Sequence, residues 1–426
     1  MKRSCSRTED REIRTCAKKT KNRRKYEDVE EISDAVEIIT NPPVKRDRPP
    51  NIPSVSNSSE SVRTASTPPS LPPVDLNRLT YGVLVKTDWG EDFLMVKKIG
   101  EGVYGNVYDV HDAQMSNYAM KILKEGHTNI DVVWGNESKI MRRVSATNHP
   151  NILGLLNDGQ MLTSLVGLTP FCFLMPLMGG SLYSVIREAR KRIRPEPQVG
   201  FTIHDICQVG AQLISGLLHL EEMGIMHLDV KPENIYFESA ERTYVERDDG
   251  VTIIQMDNLH VRIGDFGCAK IYKPDKTKAY VVQTPNYRAP EIIMGIPFDG
   301  KADVWSLACV LYEMYTGKLL FYGNSAPDSL AVQLQMMMRI VCHPPSPRMY
   351  RQAIKSESDL MEVTDNHVSL KTHACHTYRT VKPLMKNLRK DDIPAIPFFR
   401  LLREILVMDP VDRPSFADLS VHSFFT

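Results

Sequence analysis

The run His227-Leu228-Asp229-Val230-Lys231-Pro232-Glu233-Asn234 places a carboxylate, an ammonium and an amide in one short stretch. A carboxylate such as Asp229 can accept the proton of an attacking hydroxyl. The amide oxygen of Asn234 can ligate magnesium, and Lys231 can neutralise a phosphate in transfer. Farther along, Ile263-Gly264-Asp265-Phe266-Gly267 offers a second carboxylate between two flexible glycines. The alternative for either stretch alone is a polar turn after a helix, so the elements that position them must decide.

Upstream of the first stretch, Ile206, Val209, Leu213, Leu217 and Leu220 recur at helical spacing and the pattern stops near Gly224. One buried stripe of that kind predicts a core helix that delivers the loop to a fixed place. Earlier still, residues alternate from Asp92 to Ile99 and lead into Gly100-Glu101-Gly102-Val103-Tyr104-Gly105-Asn106-Val107. In a dinucleotide-binding fold such glycines sit between a strand and a helix. Here β-type residues resume at Asn106-Val107-Tyr108, which predicts a hairpin whose backbone can approach phosphates. The next run, Tyr118-Ala119-Met120-Lys121-Ile122-Leu123, is a strand with one charge in apolar company. An isolated buried ammonium is costly, so Lys121 needs a partner or an escape to water at a sheet edge. Glu137 is the candidate partner, ahead of Ile140, Met141 and Val144 in a helix-like segment. Phe171-Cys172-Phe173-Leu174-Met175-Pro176-Leu177-Met178-Gly179-Gly180 reads as a buried strand running into a turn, where Pro176 removes one amide donor.

At 426 residues the chain exceeds one compact core and suits two lobes plus a tail. A hydrophobic fraction of 42%, a charged fraction of 25% and a net charge of +1 are ordinary for a soluble globular protein and point to no acidic or basic partner. The eight cysteines are scattered without a CxxC spacing, which predicts a reducing, intracellular compartment. His373-Ala374-Cys375-His376 reads as a solvated loop, with metal binding as the alternative. No apolar run reaches membrane-spanning length, the N-terminus lacks a signal-peptide core, and no internal repeat is visible. Residues 1–80 are poor in aromatics and crowded with proline, a composition that cannot offset its ordering entropy and so predicts a disordered tail. Within it, Lys18-Lys19-Thr20-Lys21-Asn22-Arg23-Arg24-Lys25 is a basic run before an acidic one, read as a solvated polyampholyte or, more sharply, as a nuclear import signal or a weak nucleic-acid contact.

From about residue 81 to its end, the chain resembles a eukaryotic protein kinase. The glycine loop, Lys121, Glu137, the Asp229–Asn234 loop, Asp265-Phe266-Gly267, Ala289-Pro290-Glu291 and Arg413 occur in that family's order. The resemblance implies an α+β, bilobal fold, with a β-rich lobe near 81–176 and a mostly helical lobe over 177–426. It implies that Ile99, Gly100, Gly102, Gly105, Val107 and Ala119 line the site of ATP, that backbone groups of Met175 and Leu177 hold adenine, and that Leu174 is the gatekeeper. Lys121, held by Glu137, would position the α- and β-phosphates. Asn234 and Asp265 would hold Mg2+, Asp229 would accept the hydroxyl proton, and Lys231 would steady the transferring group. Lys231 and Thr284 are also the residues by which serine/threonine kinases differ from tyrosine kinases. The implied activity is transfer of the ATP γ-phosphoryl group to protein serine or threonine. A pseudokinase scaffold is the alternative, and protein substrates are the partners. Neither membrane nor direct nucleic-acid binding is expected, and the basic run suggests the nucleus, with the cytoplasm as alternative.

Within the kinases, Tyr287-Arg288-Ala289-Pro290-Glu291, Tyr315-Thr316-Gly317 and an extra segment over Cys342–Pro394 are similar to the CMGC group. Leu228 stands where most kinases have a phosphate-gripping arginine, which is similar to the dual-specificity tyrosine-regulated, homeodomain-interacting and pre-mRNA-splicing kinases. A leucine cannot pair with a phosphate, so activity is expected not to depend on a phosphorylated activation segment gripped from this loop. Val281 occupies the place of that branch's activating tyrosine, with Tyr280 one position away, and Tyr104 resembles the inhibitory glycine-loop tyrosine of cyclin-dependent kinases. Glu238–Asp257 reads as a polar insertion, and Glu291 and Arg413 are expected to form a buried ion pair.

Overall fold

The computed structural model describes residues 82–426 apart from residues 103, 125–129, 163–168, 193–197, 273–280, 323–328, 357, 359, 365–366, 371–381 and 390–391, and only the backbone at 329 and 361–370. The tail over 1–80, the basic run Lys18–Lys25, the His373–His376 cluster and Tyr280 lie outside the described residues.

Six strands form the first lobe: β1 (Leu84–Thr87), β2 (Asp92–Glu101), β3 (Gly105–His111), β4 (Asn117–Leu123), β5 (Asn157–Leu162) and β6 (Phe171–Pro176). They pair in the order β1-β2-β3-β4-β6-β5, and β1 closes the sheet into a barrel by pairing with β5. Period-two alternation sends Phe93 and Met95 of β2, Tyr108 and Val110 of β3 and Met120 and Ile122 of β4 into one apolar cluster. The predicted glycine hairpin is present. Glu101 faces Asn106 across β2 and β3, and the Gly102 N–H donates to the Gly105 carbonyl at 2.8 Å. Gly105 is required there, because a Cβ would lie 2.6 Å from the carbonyl oxygen of Ile122. Helix α1 (Ile130–Ser145) crosses between β4 and β5 and buries Glu137, Ile140, Met141 and Val144.

The second lobe is mostly helical. After β7 (Gly180–Ser181), α2 (Leu182–Arg192) and β8 (Gln198–Gly200) comes α3 (Ile203–Glu222), the helix that the apolar stripe predicts. Thr202 opens it with a capping box: its hydroxyl accepts from the Asp205 N–H, and the Asp205 carboxylate accepts from the Thr202 N–H. Ile206, Val209, Leu213, Leu217 and Leu220 are all buried. Beyond α3 run β9 (Ile225–Met226), β10 (Ile235–Phe237), β11 (Arg242–Glu246), β12 (Val251–Met256), β13 (Val261–Ile263) and β14 (Lys270–Ile271). Then follow α4 (Pro290–Ile293), α5 (Lys301–Thr316), α6 (Ser329–Val341), α7 (Pro347–Lys355), the hairpin β15 (Met361–Thr364)–β16 (His367–Leu370), α8 (Ile396–Ile405) and α9 (Phe416–Ser420).

Helix α5 is buried from Ala302 to Tyr315, so the remaining helices of this lobe are arranged around it. It stops at Gly317, whose left-handed φ of 65° suits glycine. The expected ion pair is present in full: Arg413 Nη1 and Nη2 lie 2.8 and 3.0 Å from the two carboxylate oxygens of Glu291, and neither side chain is exposed.

One reading needs correction. The stretch 238–257 is more than a polar insertion. It folds as the hairpin β11–β12, and β12 adds in parallel to β8. Val251, Thr252, Ile253 and Ile254 are buried, because the polar residues that suggested a loop sit at its rim and turn. Among the described residues, no helix is long and apolar enough to cross a membrane.

Candidate active site

Strand β4 delivers Lys121 and helix α1 delivers Glu137, so that Lys121 Nζ sits 2.7 Å from Glu137 Oε1. The same ammonium lies 3.0 Å from Asp265 Oδ1, a contact that the spacing of the motifs does not reveal. Burial opposes the charge on Lys121, but Asp265 and then Glu137 outweigh it and hold the ammonium above the usual lysine range. Lys121 in turn holds Asp265 at about 2, against burial, so this carboxylate is ionised throughout the neutral range. Burial pushes Glu137 upward, against the pull of Lys121.

The loop after β9 is fixed from below. The carboxylate of Asp303, on α5, accepts the N–H of His227 (2.7 Å) and of Leu228 (2.8 Å). Burial pushes Asp303 up to about 6, while His227 and these two N–H groups favour its charged form. Leu228 has a left-handed φ of 61°, a conformation that costs a side-chain-bearing residue about 1–3 kcal/mol and persists only where the surroundings over-determine it. The Asp303 bonds and complete burial of the leucine supply that restraint. His227 Nδ1 accepts from the Asp229 N–H (3.2 Å) and its Nε2 donates to the Gly264 carbonyl (3.1 Å), so this ring ties the two carboxylate-bearing stretches together.

Asp229 is surrounded by groups that aim it. Thr284 Oγ1 donates to its Oδ1 at 2.7 Å, Lys231 Nζ lies 2.7 Å from its Oδ2, and Lys231 Nζ also donates to Thr284 Oγ1 at 3.0 Å. Asn234 Nδ2 donates to the Asp229 carbonyl (2.8 Å) and to Oδ2 (3.2 Å). Both amide hydrogens of Asn234 therefore point at the loop, which leaves its side-chain oxygen as the free acceptor. That oxygen and the ionised Asp265, 41% exposed, are hard oxygen donors of the kind magnesium takes, so the residues present fit the metal. Among the described residues, no group of three or more His, Cys, Asp or Glu could hold a metal by itself, which fits an ion completed by phosphate oxygens.

The nucleotide candidates lie on β2, β3 and β4, in the turn of the glycine hairpin and around the end of β6. Gly100 faces Val107 across the hairpin, Ile99 is exposed, and Ala119 pairs with Met175 where β4 meets β6. Leu174 is buried, and Leu177 follows directly after β6 at half burial. The glycine hairpin, without side chains at Gly100, Gly102 and Gly105, leaves backbone free to approach a triphosphate.

Sequence reasoning missed Gln283. It is buried at a left-handed φ of 65° and works at both ends of its side chain. Its Nε2 donates to the Ala302 carbonyl and to Ser306 Oγ, and its Oε1 accepts the Ala289 N–H at 2.8 Å. Arg288 donates to the carbonyls of Val282 (2.9 Å) and Gln283 (2.8 Å), and Tyr287 donates to Glu313 at 2.6 Å. The segment 282–289 is thus fastened by side chains to buried helix α5, and Leu228 contributes apolar packing where a basic residue would otherwise stand. A polar residue between Val282 and Thr284 carries no periodic signal.

Comparison with known proteins agrees with this geometry. The protein kinase domain family matches residues 93–425. A probable dual specificity protein kinase, madd-3 of Caenorhabditis elegans, is 26% identical over 335 residues, covering 78% of this chain and 35% of its own. The probable dual specificity protein kinase YAK1 homolog of Encephalitozoon cuniculi is 25% identical and covers 78% of this chain and 73% of its own. The human dual specificity protein kinase CLK1 is 27% identical, covering 78% and 65%. The chain thus spans only about a third of the nematode protein's length. A crystal structure of a kinase domain superposes with a TM-score of 0.68 at 26% identity, over 82% of this chain and 98% of that one. The chain belongs to the protein kinase domain family, and its relatives there include dual-specificity kinases of the CMGC branch and, in Arabidopsis thaliana, proteins named as serine/threonine-protein kinases.

Proposed function

We propose that this protein transfers the γ-phosphoryl group of ATP, with Mg2+, to serine or threonine hydroxyls of protein substrates. The observation that carries the reading is the closed triangle of Asp229, Lys231 and Thr284. Asp229 is aimed to accept the proton of an incoming hydroxyl as the new P–O bond forms. Lys231, whose ammonium Asp229 and then Glu233 hold above the usual range against burial, stays charged and offsets the negative charge of the transferring group. Lys121, held by Glu137, orients the phosphates, while Asn234 and Asp265 supply oxygen donors to the metal. The metal, when bound, would neutralise the phosphate oxygens. Backbone groups of Met175 and Leu177 hold adenine under the glycine hairpin.

Thr284 favours serine and threonine, because its hydroxyl bridges Asp229 and Lys231 on the side from which an acceptor approaches. The relatives named for dual specificity make tyrosine the competing acceptor. The basic run Lys18–Lys25 supports a nuclear place of action. The test is incubation of the purified full chain with ATP, Mg2+ and a degenerate peptide library, followed by phosphoamino-acid analysis. Phosphoserine and phosphothreonine are the expected products. Predominant phosphotyrosine would overturn the acceptor assignment, and normal ATP binding without transfer to any substrate would leave a scaffold in place of an enzyme.

A further inference from the structure

Helix α1 carries more than Glu137. Trp134, Ser138 and Arg142 follow one another at four-residue spacing, so they share one side of the helix, and that side rests on the β5–β6 hairpin. The Trp134 ring stacks on Phe171 of β6, with centroids 4.5 Å apart and planes inclined by 15°. Ser138 Oγ donates to Asp158 Oδ2 at 2.5 Å, and Arg142 Nε donates to Asp158 Oδ1 at 2.7 Å. The Asp158 side chain is only 2% exposed, whereas Arg142 is 61% exposed. A carboxylate buried to that degree is costly unless its oxygens are answered, and both are answered from the same helix.

Asp158 is itself held in place. It pairs with Phe173 across β5 and β6, and Phe173 pairs with Lys121 across β6 and β4. Residues in register across neighbouring strands project from the same face of a sheet, so Asp158 and Lys121 face helix α1 together. The Phe173 ring between them lies 5.9 Å from Lys121 Nζ. Two consecutive residues of α1, Glu137 and Ser138, are therefore gripped from two points of one sheet face, by Lys121 and by Asp158. Farther along, Ser145 Oγ accepts the Leu155 N–H at 2.6 Å and pins the end of the same helix to the chain that enters β5.

We infer that Asp158 is a positioning residue for phosphoryl transfer, fixing the rotation of α1 so that Glu137 meets Lys121. The inference rests on the kinase reading given above and adds how the Lys121–Glu137 pair is maintained. The groups that grip Glu137 and Ser138 from the sheet, Lys121 and Asp158, belong to the barrel lobe, while Arg143 Nη2 also ties α1 to the Met223 carbonyl at the end of α3 (2.6 Å). None of these contacts involves the segment 282–289 or Leu228.

The test compares the full-length wild type with Asp158→Ala, Glu137→Gln and the double variant, reading kcat, KM for ATP and hydrogen exchange of the α1 amides. A misplacement of about 1 Å far from the reacting atoms can cost about 100-fold, and Asp158→Ala is expected to lower kcat/KM for ATP by roughly 10- to 100-fold with the protein-substrate KM unchanged. The double variant should be no slower than Glu137→Gln alone, because coupled residues are non-additive where one acts through the other. Exchange over 134–145 should quicken in Asp158→Ala. Multiplying effects in the double variant, or wild-type turnover in Asp158→Ala, would overturn the inference. Should Asp158→Ala fail to fold, Arg142→Gln combined with Ser138→Ala removes both donors from the helix side and must show the same pattern. An inactive wild type would count against the kinase reading alone. The positioning role would then stand or fall on whether α1 exchange changes.

Discussion

The two halves of the candidate site are held by different means. On the helical side, Asp229 sits on a loop whose backbone is bound by Asp303, whose ring His227 bonds the next stretch, and whose foundation α5 is buried nearly throughout. On the barrel side, Glu137 sits on α1, whose Ser138–Arg142 flank packs on the sheet with Arg142 largely in water, while Ile140, Met141 and Val144 join the larger core. Buried bonds to backbone cannot be exchanged for water without large loss, whereas of the two donors on buried Asp158 only Arg142 can turn to water at modest cost, Ser138 being buried with it. The comparison teaches that the chemistry-bearing loop is held by buried bonds throughout, and that the fastening of α1 includes one bond open to water.

The largest effects should fall on the fixed half. Asp265→Asn removes the charge next to Lys121 and should abolish metal-dependent transfer. Asp229→Asn should lower kcat by roughly 10²–10⁴-fold, the usual worth of a general base. Both are read by steady-state turnover at saturating ATP, and wild-type rates in either variant would break the comparison at its centre.

Next in size is Arg413→Ala. It strands Glu291 as an unpaired charge in a place with no exposure and should cost about 3–5 kcal/mol, read from the denaturant midpoint. Arg142→Ala is the matched change on the barrel side, and its effect on the same measurement should be much smaller, since its guanidinium is mostly hydrated. Equal losses in the two variants would erase the distinction between the halves.

The smallest effect concerns phosphate. With Leu228 buried and Gln283, Arg288 and Tyr287 already fastening 282–289, phosphatase treatment should leave turnover unchanged, as should Tyr280→Phe. Loss of activity on dephosphorylation, restored by phosphate on Tyr280, would show that some other basic residue does the work of the absent arginine.

Much of this architecture was legible because it repeats or because it is costly. The stripe from Ile206 to Leu220 has helical period, the strand around Lys121 is apolar with one charge, and Glu291 and Arg413 are the residues that the family motif brings into a pair. The hairpin at 242–256 was misread, because a stretch with Glu, Arg and Asp at both ends hides the short run Val251–Ile254 that packs inward. Gln283 and Asp158 were invisible for a different reason. Each is one polar residue in a short segment, with partners at Ser306 or Ser138 that no local pattern links to it.

What the sequence by itself determined was the set of chemical groups and their order: a glycine hairpin, Lys121, Glu137, Asp229, Lys231, Asn234 and Asp265, each on an element whose periodicity or turn residues could be read. Tertiary structure alone decided which of them meet. Lys121 reaches Asp265 across 144 positions of chain, and Asp303 reaches the His227–Leu228 backbone from a helix that follows it by some 75. Such contacts depend on how α1 and α5 are rotated against the barrel and the loop. That rotation is set by the sum of packing over many buried side chains, and a local pattern carries no information about it.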